Sequence, residues 1–218
     1  MDKSEVISQI GAIGIIPCAR VTDPEHARFA AETLYAAEIP IVEIPLTLPE
    51  APQVIEDLAN RFPDLVVGAG TVLDEESARR CIGSGARFVT SPGFVPEVVD
   101  YSTKAAIVAF PGALTATEII AAWKTGADFV KIFPAAPIGG ADYVRALKVP
   151  LPQILLIVTG GVNQLTAFDY ILAGASAIGV GGELLPKDAL HHRQEYRIHE
   201  LARRFLLMVK EARAQQNS

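Results

Sequence analysis

Cysteine is scarce in this chain. Cys18 and Cys81 are its only two, too few for a disulfide scaffold, and a reducing cytoplasm is the expected setting. Histidine is nearly as rare. His26 falls in an early helical stretch, and His191, His192 and His199 lie near the C-terminus, all away from the ends of strand-like runs. A zinc centre draws on histidines gathered at such ends, so no metal site is expected. Basic excess is missing too. Nineteen Lys and Arg stand against 25 Asp and Glu, a formal net charge of −6, which argues against nucleic acid as a partner. An anionic substrate would have to be held by local groups and not by the overall field. No apolar run is long enough to span a bilayer, and Met1-Asp2-Lys3-Ser4-Glu5 does not read as a signal peptide, so no membrane partner is expected. Linkers and low-complexity stretches are absent as well, and residues 1–218 read as one domain.

What is present is alternation. After a short N-terminal helix, apolar strand-like runs recur at Gly14–Ala19, Ile41–Pro45, Leu65–Gly70, Arg87–Thr90, Ala106–Phe110, Phe129–Phe133, Ile154–Thr159 and Ala177–Val180. Amphipathic helical segments separate them. Thr22-Asp23-Pro24-Glu25, Asp74-Glu75-Glu76 and Thr115-Ala116-Thr117-Glu118 are helix starts, and Gly85, Gly126 and Gly174 are helix ends. Near-continuous apolar strands belong to a parallel sheet buried on both faces. Eight strand–helix units in succession predict an α/β fold, a (β/α)8 TIM barrel with a short N-terminal helix and a C-terminal helix. A doubly wound open sheet is the alternative architecture. The last helix, Glu195 to about Arg213, carries Ile198, Leu201, Phe205, Met208 and Ala212 as a core stripe, with Arg203, Arg204 and Lys210 on its solvated face.

One lysine is out of place. Lys131 sits inside Asp128-Phe129-Val130-Lys131-Ile132-Phe133-Pro134, a run that reads as a fully buried strand. Desolvating an unpartnered ammonium costs several kcal/mol, on the order of its lost hydration, and the usual escape is loss of the proton. A neutral lysine is an amine able to attack a carbonyl. Strand alternation turns Phe129, Lys131 and Phe133 toward the barrel interior, and Ile41 and Glu43 likewise, while Val130, Ile132, Val42 and Ile44 face the helices. A carboxylate and a lysine thus point into one enclosed space, with Arg20 at the rim just past the first run. A structural ion pair between Glu43 and Lys131, and a merely solvated Arg20, are the plainer alternatives.

Glycines form a second constellation. Thr159-Gly160-Gly161-Val162 follows the seventh run, and Gly179-Val180-Gly181-Gly182-Glu183 spans the end of the eighth. Glycine lets backbone N–H groups approach an oxyanion, next to a helix N-terminus that favours negative charge, and barrels often bind phosphate at this pair of loops.

These residues, in this order, resemble the pyruvate-dependent class I aldolases that act on 2-keto-3-deoxy-6-phosphogluconate (KDPG) and 4-hydroxy-2-oxoglutarate (KHG). The resemblance runs from about Gly14 to Leu190. It rests on Val42-Glu43-Ile44-Pro45-Leu46, Gly68-Ala69-Gly70-Thr71-Val72-Leu73, Ser91-Pro92-Gly93, Phe110-Pro111-Gly112, Lys131-Ile132-Phe133-Pro134-Ala135 and Thr159-Gly160-Gly161-Val162. It implies Lys131 as the Schiff-base lysine, Glu43 as general acid/base and Arg20 as the clamp on the substrate carboxylate. Thr71, Pro92, Phe133 and Thr159 match pocket-lining positions, and Gly160, Gly161, Gly181 and Gly182 the phosphate end. A 2-keto acid substrate, no metal or organic cofactor, a homotrimer and a place in Entner–Doudoroff carbohydrate breakdown are further implications. Two positions depart from the family pattern. Thr47 stands where several members carry an arginine, and Glu183 where gluconate-type members place a phosphate-binding serine. A related galactonate-type aldolase, a metal-dependent sugar-phosphate epimerase and a catalytically silent sugar-acid binding barrel are the rival functions.

Overall fold

Asp2 caps the first helix, α1 (Lys3–Ile13): its carboxylate accepts the Glu5 N–H, and the Glu5 side chain reaches back to the Asp2 N–H. The computed structural model describes residues 1–216. Beyond α1 the chain alternates β1 (Ile15–Pro17), α2 (Pro24–Ala36), β2 (Ile41–Pro45), α3 (Ala51–Arg61), β3 (Val66–Gly70), α4 (Glu75–Gly83), β4 (Phe88–Thr90) and α5 (Pro96–Lys104). The second half runs β5 (Val108–Phe110), β6 (Gly112–Ala113), α6 (Ala116–Lys124), β7 (Val130–Ile132), α7 (Gly140–Lys148), β8 (Leu156–Thr159), α8 (Ala167–Leu172), β9 (Ala177–Val180), α9 (Lys187–His191) and α10 (Glu195–Gln216).

The helix boundaries follow local chemistry. Asp23 accepts the Glu25 N–H with Pro24 at the first helical position, Asp74 accepts the Ser77 N–H, and Thr115 with Glu118 forms a second capping box. Gly85, Gly126 and Gly174, each in the left-handed region, stop α4, α6 and α8.

All strand pairs are parallel. One ladder runs β1-β9-β8-β7-β6 and the other β2-β3-β4-β5. A bridge between Cys18 and Glu43 joins the end of β1 to β2, so the first strand neighbours both the last strand and the second. That closure makes the sheet a barrel and removes the open, doubly wound alternative. The fifth expected run ends at Phe110 as β5, and Pro111 separates it from a further short strand, β6. Pro111 has no N–H to give the ladder, yet its carbonyl accepts the Lys131 N–H at 2.8 Å, so β5 pairs with β4 and β6 with β7.

Two hydrophobic clusters lie on opposite faces of the barrel wall. Inside, Ile41, Phe88, Phe110, Phe129 and Ile157 pack together, and Val6 and Ile10 of α1 plug the floor. Outside, Val42, Ile44, Val130 and Ile132 join the helices. The alternation expected on β2 and β7 is therefore the observed one. On α10, Ile198, Phe205 and Ala212 are buried as expected, whereas Leu201 and Met208 are only half-buried and Ala202 and Val209 complete the stripe. The helix is docked on several elements at once, so its apolar face is wider than a strict two-in-seven seam. Arg203 and Arg204 are exposed and both bond Glu200 at 3.0 Å.

Because α1 seals the barrel floor, Ile10→Ala should cost about 2–5 kcal/mol in a urea melt, the range for a large-to-small change at a fully buried aliphatic site. A loss below about 1 kcal/mol would show that the plug is dispensable.

Candidate active site

Glu43 and Lys131 are 6% and 8% exposed, and they are the only buried carboxylate and ammonium among the described residues. Register puts Glu43 beside Gly68 of β3, and Lys131 between Gly112 of β6 and Ile157 of β8. Their side chains meet inside the barrel mouth, Lys131 Nζ lying 3.9 Å from Glu43 Oε2. The other oxygen, Oε1, accepts a hydrogen bond from the Cys18 thiol at 3.3 Å. The space for this carboxylate is made by a missing side chain: a Cβ on Gly70 would come within 2.1 Å of Glu43 Oε1. Burial, and then the neighbouring Glu43 carboxylate, push the Cys18 thiol far above the ordinary thiol range, so it stays a protonated donor. On its other side Lys131 Nζ sits 5.7 Å from the centre of the Phe133 ring. An isolated buried pair of this kind adds little net stability, because desolvation offsets most of the attraction.

The rim is built from strand ends. Arg20 follows β1, and among the described residues it has no ion-pair partner. Thr71 follows Gly70 with φ at 57°, a left-handed backbone that a β-branched residue adopts only at a cost of about 1–3 kcal/mol. Pro92 follows β4, and its carbonyl packs where a Cβ on Gly112 would lie. Ser91 and Thr90 hold that turn by bonding the Val72 and Phe110 carbonyls.

A cavity of about 260 Å³ gathers Arg20, Phe133, Thr159, Gly160, Gly161, Gly181 and Gly182, seven of the nine expected substrate-binding residues, together with Cys18 and Glu183. Thr71 and Pro92 do not line it, and neither do Lys131 and Glu43; Cys18 and Phe133 connect it to the buried pair. Gly160 and Gly161 both have φ at 88°, and a Cβ on Gly161 would meet Ala136 at 2.3 Å, so this turn demands glycine. The helices after the two glycine turns begin at Ala167 and Lys187, so a few residues separate each glycine pair from the helix that follows. The Glu183 side chain is exposed at the cavity edge.

The histidines also depart from expectation. His26 and His191 line a second cavity of about 400 Å³ with Arg20, Thr22, Thr47 and Lys187, and their rings contact each other edge-on. They are therefore close to the barrel mouth, because α2 and α9 pack together beside the end of β1. Among the described residues no cluster of three or more His, Cys, Asp or Glu side chains is arranged to hold a metal ion.

A buried lysine lies beside a buried glutamate inside a closed parallel barrel, and the chain as a whole has relatives of known name. The family model for KDPG and KHG aldolase covers residues 6–201. The chain belongs to the KDPG and KHG aldolase family. It is 33% identical over 190 residues to the KHG/KDPG aldolase of Escherichia coli, covering 87% of this chain and 89% of that one. It is 31% identical over 189 residues to the 2-dehydro-3-deoxy-phosphogluconate aldolase of Pseudoalteromonas atlantica, covering 87% and 88%. Its fold matches the crystal structure of the KDPG aldolase of Legionella pneumophila with a TM-score of 0.84 at 31% identity, over 90% of this chain and 95% of that one. In that structure pyruvate is captured as a covalent carbinolamine intermediate. This aldolase is accordingly a carbon–carbon lyase.

Sequence reasoning missed two parts of the aldolase site. Cys18 was read only for redox setting, although two residues past inward-facing Ile16 it also had to face inward. Gly70 was part of a motif, but its role as the bed under Glu43 needs the β2–β3 register. Gly70→Ala should keep the fold, since no left-handed backbone is required there, yet displace the carboxylate. Turnover is expected to fall at least about 10²-fold, the lower range for loss of a positioned acid/base, with little change in melting temperature. Unaltered turnover would show that Glu43 need not lie where it does.

Proposed function

We infer that this aldolase cleaves KDPG to pyruvate and glyceraldehyde 3-phosphate, and/or KHG to pyruvate and glyoxylate, through a Schiff base on Lys131. The observation that carries the reading is the 3.9 Å approach of the buried Lys131 amine to the buried Glu43 carboxylate inside the barrel. The free amine attacks the C2 carbonyl and gives a carbinolamine, and loss of water leaves an iminium. Glu43 takes the C4 hydroxyl proton as the C3–C4 bond breaks, the aldehyde departs, and the bonding electrons pass into the iminium to form an enamine. The protonated Glu43 carboxyl gives its proton to C3 of the enamine, and addition of water to the resulting iminium releases pyruvate and restores the amine.

Arg20 supplies a fork of N–H donors suited to the substrate carboxylate, with Thr71, Pro92 and Phe133 closing the pyruvate end. The aldehyde half runs toward Thr159, Gly160, Gly161, Gly181 and Gly182. Glu183 at that edge is exposed, so a phosphate there is met by backbone while the carboxylate remains in solvent. By the family resemblance, residues 1–218 act as one barrel domain within a homotrimer, in the cytoplasm, in Entner–Doudoroff sugar-acid breakdown and without a cofactor.

Borohydride added with pyruvate should reduce and fix the imine on Lys131, identified by peptide mapping. Lys131→Arg should abolish both trapping and turnover in a folded protein, because a guanidinium stays protonated and forms no imine. Trapping elsewhere, or near-normal cleavage by that variant, would refute the mechanism. Glu43→Gln should slow cleavage about 10²–10⁴-fold.

A further inference from the structure

We propose that Cys18 is a positioning residue for the acid/base chemistry: its thiol fixes which oxygen of Glu43 faces Lys131. The inference rests on the reading of Glu43 as acid/base and Lys131 as the Schiff-base amine. Cys18 continues β1 past Pro17, held by its N–H on the Val180 carbonyl at 2.8 Å, while the Ala19 N–H bonds the Glu43 carbonyl at 2.9 Å. These bonds place Cys18 on the seam where the barrel closes, directly beside Glu43.

The Glu43 carboxylate has two oxygens and few partners. Among the described residues the Cys18 thiol is its one side-chain hydrogen-bond donor, at 3.3 Å on Oε1, and Lys131 is its ion-pair partner, at 3.9 Å from Oε2. Beneath the group lies Gly70, whose missing Cβ leaves the space that Oε1 occupies. A carboxylate free to swing over that glycine would present either oxygen to the substrate, or neither in line with the transferred proton. The S–H bond removes that freedom by holding Oε1, which leaves Oε2 toward the amine and the reacting carbons. The thiol itself neither gains nor loses a proton in the cycle. A thiol is a weak donor, so it orients the carboxylate without strongly weakening it as a base.

Two half-reactions separate this role from plain packing. Borohydride trapping of pyruvate needs only Lys131, whereas exchange of the pyruvate methyl protons with D2O needs enamine formation and therefore a correctly aimed Glu43. Cys18→Ala removes the donor without overfilling the site, Cys18→Val replaces it by an apolar group of similar volume, and Cys18→Ser restores a donor. Exchange should slow about 5- to 10-fold in Cys18→Ala and Cys18→Val, the scale of one neutral hydrogen bond. Trapping yield and melting temperature should stay near those of the parent, and Cys18→Ser should return exchange to within about 2-fold. Unslowed exchange in both apolar variants, equal slowing in Cys18→Ser, or trapping and exchange falling together would overturn the positioning role alone. Absence of trapping on Lys131 in the parent chain would instead overturn the Schiff-base mechanism, and this inference with it.

Discussion

The contact between the Lys131 amine and the Glu43 carboxylate is the constraint around which the barrel mouth is organised. Neither charge is placed for stability, since each has been taken out of water and their attraction roughly offsets that cost. Keeping them there depends on the closed sheet. β2 and β7 contribute one group each, and the apolar interior beneath them, from Phe88, Phe110 and Phe129, denies both groups solvent from below. The plug from α1 completes that floor. A residue on the far side of the molecule, such as Ile10, thus belongs to the same physical arrangement as the aldolase chemistry above it.

The surroundings of the pair are made as much by absent side chains as by present ones. Gly70 gives Glu43 its bed, Gly68 yields its space to the Phe88 ring, and Gly112 lets the Pro92 carbonyl approach the strand next to Lys131. Glycine costs backbone entropy in a strand, and here that cost is repeatedly tied to a close approach at the site. Thr71 adds a strained backbone at the same level. The barrel mouth is therefore the part of the wall that local preference alone would not have produced.

Much was legible in the chain because the signals were local. Helix starts at Asp23, Asp74 and Thr115 lie where their side chains can cap, and alternation on β2 and β7 assigned Glu43 and Lys131 to one interior. What failed was non-local. The short strand β6 beyond Pro111 exists because it pairs with β7, and His26 reaches the rim only because α2 and α9 pack side by side.

Periodicity, capping residues and one lysine inside an apolar run determined the α/β class and the inward direction of the two reacting side chains, while short motifs in a set order carried the resemblance to pyruvate aldolases. These are properties of a residue and its near neighbours, so the linear order suffices. Closure through the Cys18–Glu43 seam, the 3.9 Å separation at Lys131, the thiol on Oε1 and the carboxylate lying over Gly70 were decided only by the tertiary structure. Each of them requires the register between strands far apart in the chain, and register is settled by packing the whole barrel and not by any single segment.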